Sequence, residues 1–422
     1  MRRALSLLLV AASCLAVACG REGEQPTTRV VGDRMTVYAS LPGHGSDAAA
    51  GAAAEIGMRA ALADAGGRVN GRDVELKVLS STRPEDESWD PGTVEENAER
   101  AVEDETTIAY VGELDRGASA LSLPVTNRAG ILQLSPADGL ASYTRRPPGR
   151  PRAGPERYYP GDRRNFVRMV PSDLESARAI VAALRAGDVR RLAVIHGAGI
   201  ADRELETMVL WMLRDGPATV FRGDAPDRDA LEPPDLEGED GDADGVPSDE
   251  PEELTELIDE LEEARPDALL YVGPADEGGV EALRAIATRL PDLPVVGGPP
   301  LARAAGLAGM PAAGCAMTGV PVADELPPRG RRLLERLREE AGDPDLGGEA
   351  VLGYEAMRRA LAAVEEGGAD RRRVVAAARP AAVDGPAGEY VIDRRGDIQG
   401  VAPVCVGLAD AAPGSALAGG QP

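Results

Sequence analysis

The chain has 422 residues, 43% of them hydrophobic, and a formal net charge of −25 at pH 7. That length suits two lobes that each bury a core, and the acidic excess, with no basic stripe, argues against a nucleic-acid partner. No internal apolar run approaches the roughly 18 residues needed to cross a bilayer.

At the start, Arg2 and Arg3 precede an apolar stretch from Ala4 to Ala18, the pattern of an export signal. Leu15-Ala16-Val17-Ala18-Cys19-Gly20 resembles a bacterial lipobox. On that basis residues 1–18 are expected as a lipoprotein signal peptide and Cys19 as the lipidated N-terminus, which retains the chain at a membrane. A plain secretory signal that happens to contain Cys14 and Cys19 is the alternative. Residues 19–32 are polar and aperiodic, as a tether should be.

From Arg34, strand-like and helical segments alternate: RMTVYAS, a helix through Ala48 to Ala65, VELKVLS, a helix near Val94 to Val102, TIAYVG, a helix from Ala118, then ILQL. Met58, Ala61, Leu62 and Ala65 give the first helix an apolar face, and Gly66-Gly67 ends it. The series restarts at NFVRMV and runs through a helix from Ser172, RLAVIH, a helix near Leu205 to Leu213, DALLYVG, a helix from Val280 and PVVGG. Such alternation predicts an α/β fold with parallel sheets. Tyr143 to Arg164, rich in Pro, Arg and Gly, reads as a surface excursion outside any core. Residues 223–253 read as a disordered acidic insertion, and 409–422 as a flexible tail. Asp240, Asp242, Asp244 and Gly245 fit the start of an EF-hand loop, but Pro251 stands where its bidentate Glu belongs.

Beyond the signal only Cys315 and Cys405 remain, enough for one disulfide; no Cys-x-x-Cys or Cys/His cluster supports zinc or thiol chemistry. Gly43-His44-Gly45-Ser46-Asp47-Ala48 has the G-x-G-x-x-A spacing of a dinucleotide loop. The second strand, however, ends in Ser80 and Ser81 where an acid should take the ribose, so a tight turn with a Ser or Asp N-cap is expected.

GMRAALADAGGRVNGRDVELKV, DPGTVEENAERAVEDETTIAYVGELDRGASALSLPVTNRAGILQLSPA, FVRMVPSD, VLGYEAMRRALAAVEEGG and GPAGEYVIDRRGDIQG occur in that order along the chain. Together they resemble the branched-chain amino-acid (Leu/Ile/Val) substrate-binding proteins, the type I periplasmic binding proteins that serve ABC importers. The resemblance implies two Rossmann-like lobes joined by three hinge crossovers, near 168–172, 317–322 and 381–386. Lobe 1 is expected over 33–170 plus 320–382, and lobe 2 over 171–319 plus 383–408. It also places Cys315 and Cys405 on strands of the second lobe, where they would pair. It implies binding of a small molecule without catalysis or cofactor, an ABC transporter permease as partner, and an extracytoplasmic location.

Ligands of open parallel sheets bind beyond the carboxyl ends of the strands. Candidate loops are therefore Leu41 to Ala48, Glu113 to Ser119, Ser135 to Gly139, His196 to Asp202, Gly273 to Asp276 and Gly297 to Pro300. The candidate ligand residues are His44, Arg116, Gly117, Ala118, Ser135, Ala137, Asp138, Gly139, His196, Asp202 and Asp276. The helix from Ala118 would aim free N–H groups at a ligand carboxylate. Against the family pattern, Arg116, Gly139, Ala50, Ala201, Ala275 and Pro299 replace the usual amino-acid anchors, so the expected ligand is a small amino-acid-like or anionic molecule rather than an ordinary zwitterionic amino acid. Arg116 either clamps an anion or pairs with Asp115 or Asp138 at the rim; a sensor or scaffold lipoprotein with an altered cleft is the alternative function.

Overall fold

The computed structural model describes residues 28–161, 163–226, 252–303 and 314–408. The signal segment with Cys19, most of the acidic insertion with its EF-hand-like start, and the tail lie outside the described residues.

The first half supplies β1 (Arg34–Leu41), α1 (Ala48–Asp64), β2 (Arg68–Val69), β3 (Arg72–Ser80), α2 (Pro91–Glu103), β4 (Thr107–Val111), α3 (Ser119–Arg128), β5 (Leu132–Ser135) and β6 (Phe166–Arg168). The strands order as β2-β3-β1-β4-β5-β6, parallel except for the short β2–β3 hairpin. Every residue of β4 is buried, because helices cover both faces, which is why TIAYV is apolar without alternation.

After the chain leaves the first sheet at 169–172, it forms α4 (Asp173–Ala186), β7 (Arg191–His196), α5 (Ile200–Met212), β8 (Ala218–Asp224), α6 (Glu252–Ala264), β9 (Ala268–Val272), α7 (Glu277–Arg289), β10 (Val295–Gly297) and β11 (Gly314–Thr318). It returns through 319–322 to the first lobe as α8 (Pro328–Ala341), α9 (Gly348–Gly367), α10 (Arg371–Ala377) and a small antiparallel sheet of β12 (Ala381–Gly385), β13 (Gly388–Ile392) and β14 (Ile398–Gln399). Finally β15 (Val404–Gly407) closes the second sheet, ordered β15-β11-β10-β9-β7-β8, in which only β15 runs antiparallel. A disulfide joins Cys315 on β11 to Cys405 on β15, with Cα atoms 5.5 Å apart. The architecture is two Rossmann-like lobes linked by three crossovers.

Several expectations need correction. Residues 383–399 pack with the first lobe: Val383, Tyr390, Ile392 and Ile398 join Val37 and Leu134 in one core, so the third crossover is at 400–403. The hairpin's inward positions alternate with outward ones, and its buried face meets the first sheet. Residues 28–30, read as tether, pair with the domain: Arg29 bridges to Asp370 and Val30 is buried. The supposed surface excursion is partly core, since Tyr143 and Tyr158 are buried against Leu123, Leu140 and Phe166. Both β8 and α6 were missed. They flank the acidic stretch, but α6 buries Leu254, Ile258 and Leu261 at helical spacing.

The return helix α9 lies directly on α1. A Cβ at Gly57 would stand 1.8 Å from the Ala350 carbonyl oxygen, and one at Gly353 would stand 2.1 Å from that of Ala54. Backbone occupies the space, so no rotamer relieves the clash. Gly353→Ala is expected to destabilise by about 1–3 kcal/mol, as overpacked cores do, despite its better helix propensity. Urea unfolding checks this, and an unchanged midpoint would mean the two helices separate freely.

Candidate ligand cleft between the lobes

The carboxyl ends of both parallel sheets face a cleft of about 1220 Å³. From the first lobe come Ser46, Asp47, Trp89, Asp115 and Arg116; from the second, Gly197 to Asp202, Pro274 to Asp276 and Arg303; Glu349 enters at the start of α9.

Arg116 follows β4, and only 7% of its side chain is exposed. Its Nη1 donates to Asp202 Oδ1 and its Nη2 to Asp173 Oδ2, each at 2.9 Å. Asp173 and Asp202 open α4 and α5, so this one guanidinium ties the lobes together. Burial works against its charge, but the two carboxylates outweigh that and raise its pKa. Arg116 therefore pairs with neither Asp115 nor Asp138, as one expectation had it, and two of its nitrogens donate to Asp202 and Asp173 instead.

The N-terminus of α3 is likewise taken, by Asp138 from the neighbouring strand's loop. Gly117 N–H donates to its Oδ1 at 2.9 Å and Ser119 N–H to its Oδ2 at 3.1 Å, while Ala118 N–H turns to the Asp115 carbonyl. Tyr143 O–H donates to the same carboxylate at 2.8 Å. A carboxylate of the protein itself fills the place expected for a ligand's. Burial raises the Asp138 pKa, opposed by these donors.

Other predicted residues serve the scaffold. Ser135 Oγ donates to the Glu113 carbonyl and accepts the Asp138 N–H. Gly139 accepts the Asp173 N–H through its carbonyl, and Ala137 is buried beside it. His44 is exposed, its N–H donating to Thr82 Oγ1. His196 is buried, with Nδ1 3.4 Å from Asp224 Oδ1. Neither histidine belongs to the cleft wall. Asp202 and Asp276 do, although Asp276 also caps α7 by accepting the Gly279 N–H. Asp47 occupies the N-cap position of α1 without capping it; its carboxylate lies 3.6 Å from Arg303 instead.

Sequence reasoning did not find Asp173, Arg303 or Glu349. Asp173 is the first residue of the helix expected from Ser172, with nothing in the sequence to mark it as a partner of Arg116. Glu349 carried a usable signal: an acid in the first turn of an Ala-rich helix.

Two parallel sheets, three crossovers and a cleft at the strand ends make up the fold of the type I periplasmic binding proteins. Residues 39–229 match the family model described as "Periplasmic binding protein". Among solved structures, the leucine binding protein of Thermotoga maritima is 19% identical, with 86% of this chain and 93% of that chain covered and a TM-score of 0.65. A solute binding protein from R. palustris in complex with benzoate is 18% identical, covering 91% and 98%, TM-score 0.65. A Desulfitobacterium hafniense ABC transporter substrate-binding protein in complex with Leu is 18% identical, covering 90% and 98%, TM-score 0.66. No curated protein matches the chain in sequence.

Proposed function

We propose that the chain is an extracytoplasmic, lipid-anchored solute-binding protein that holds a small molecule between its lobes and presents it to the permease of an ABC importer, without catalysing a reaction. The cleft carries this reading: it is large enough for a small solute, and it sits where two open parallel sheets offer their loops. Arg116, Asp202 and Asp276 of the expected set line it. The structural neighbours named for leucine and benzoate binding support the class. The lipobox-like segment ending at Cys19 supports anchoring, and the Cys315–Cys405 disulfide suits an oxidising compartment.

Thermal melting of the domain beginning after Cys19, against amino acids, amides, aromatic acids, dicarboxylates and amines, tests it. A ligand that binds only the native state raises Tm by mass action. A reproducible rise with at least one compound is expected; silence across the panel, with the fold intact, would overturn the reading. That result would favour a sensor or scaffold lipoprotein, for which the self-capped α3 and the committed Arg116 are the supporting observations.

A further inference from the structure

From the charges lining the cleft we infer that its solute is an organic cation, an amine- or guanidine-bearing molecule held by Asp115 and Glu349. This rests on the solute-binding reading above and specifies its ligand class.

Asp115 and Glu349 are only 3% and 8% exposed, yet both belong to the cleft wall. One Asp115 oxygen accepts the Ser81 hydroxyl at 2.9 Å; among the described residues no group donates to the other. The Glu349 carboxylate receives no hydrogen bond from another described residue, only from its own N–H. Asp47 adds a third acid. Arg303 is the cation these three share, and it stands 3.6 Å from Asp47, too far for a hydrogen bond. Arg116 adds nothing to this balance, being spent on Asp173 and Asp202.

Three carboxylates around one guanidinium leave uncompensated negative charge in a poorly solvated wall, where isolated charge is costly. The groups register the strain: burial, reinforced by Asp47, pushes the Asp115 carboxyl up to about 7, and burial raises Glu349. A bound ammonium or guanidinium supplies the missing charge and donates to the unoccupied oxygens. Trp89 is the one aromatic residue among the described cleft residues, and an indole is the side chain that attracts such cations best. No three or more His, Cys, Asp or Glu among the described residues could hold a metal ion, which favours an organic cation. An anion, by contrast, would meet Asp47, Asp115 and Glu349, with Arg116 and the α3 N-terminus already occupied and Arg303 outnumbered by the three acids.

The test is calorimetric titration of the domain with 1,4-diaminobutane and agmatine, and with leucine and benzoate as opposites. Binding of a cationic probe is expected, weakened at least tenfold in Asp115→Asn and separately in Glu349→Gln, two nearly isosteric changes. It should tighten severalfold from pH 6 to pH 8, because a cation competes with the proton on Asp115, which faces Asp47, Asp138 and Arg303. Binding of leucine or benzoate but of neither cation would overturn the inference and leave the solute-binding reading intact. Cation binding indifferent to both substitutions and to pH would also overturn it. Silence from all four probes would sink it too, and the broader melting panel then decides the solute-binding reading separately.

Discussion

Arg116→Ala is expected to lower the unfolding free energy by about 3–5 kcal/mol, the cost of removing one partner from a buried ion pair. Asp173 and Asp202 are 2% and 14% exposed at their side chains and would be left as uncompensated carboxylates. The loss arises from those two groups, so neutralising them should restore stability. A triple variant, Arg116→Ala with Asp173→Asn and Asp202→Asn, is expected to regain a substantial part of it in urea unfolding at pH 7.5. A single variant as stable as the parent would mean the carboxylates reach water when the guanidinium goes. Small-angle scattering should show the single variant more open, since the bridge that crosses the cleft is gone.

Asp138→Ala is expected to cost on the order of 3–5 kcal/mol. It strips the acceptor from the N–H groups of Gly117, Ser119 and Leu140 and from the Tyr143 hydroxyl, and each orphaned buried donor costs about 1–3 kcal/mol, less than additively. Asp138→Asn keeps an acceptor oxygen and should lose less. The alanine variant also vacates the start of α3, so acetate should raise its Tm while leaving the parent unmoved. If acetate rescues neither, the helix end is not an anion site even when emptied.

Much of the fold was legible because its signals are local. The apolar runs RMTVYAS, TIAYVG and RLAVIH, with helices between them, define parallel βα units wherever they pack. β8 and α6 escaped because the acidic stretch between them masked a weak edge strand and a short stripe of four apolar residues, Leu254, Leu257, Ile258 and Leu261. The assignment of 383–399 to the wrong lobe had another cause: alternation marks a strand as half-buried but does not say against which core. The site was harder still. Position after a strand correctly brought Arg116, Asp202 and Asp276 to the cleft, but partners decide what a side chain does there. The partners of Arg116 are 57 and 86 residues away in the chain, and the occupant of the α3 terminus is Asp138, 19 to 21 residues from the N–H groups it accepts. No spacing rule connects such pairs.

The placement of β15 bears on the order in which the molecule can be assembled. The second lobe begins at α4, yet its sheet takes its edge strand from residues 404–407, after the chain has left to build α8, α9 and the small sheet of the first lobe. The disulfide then closes a loop across a sequence separation of 90 residues that passes through both lobes. The second lobe therefore cannot be finished during synthesis ahead of the first, and its covalent closure is among the last steps. A single backbone cut between α8 and α9 would leave the two pieces joined until the disulfide is reduced.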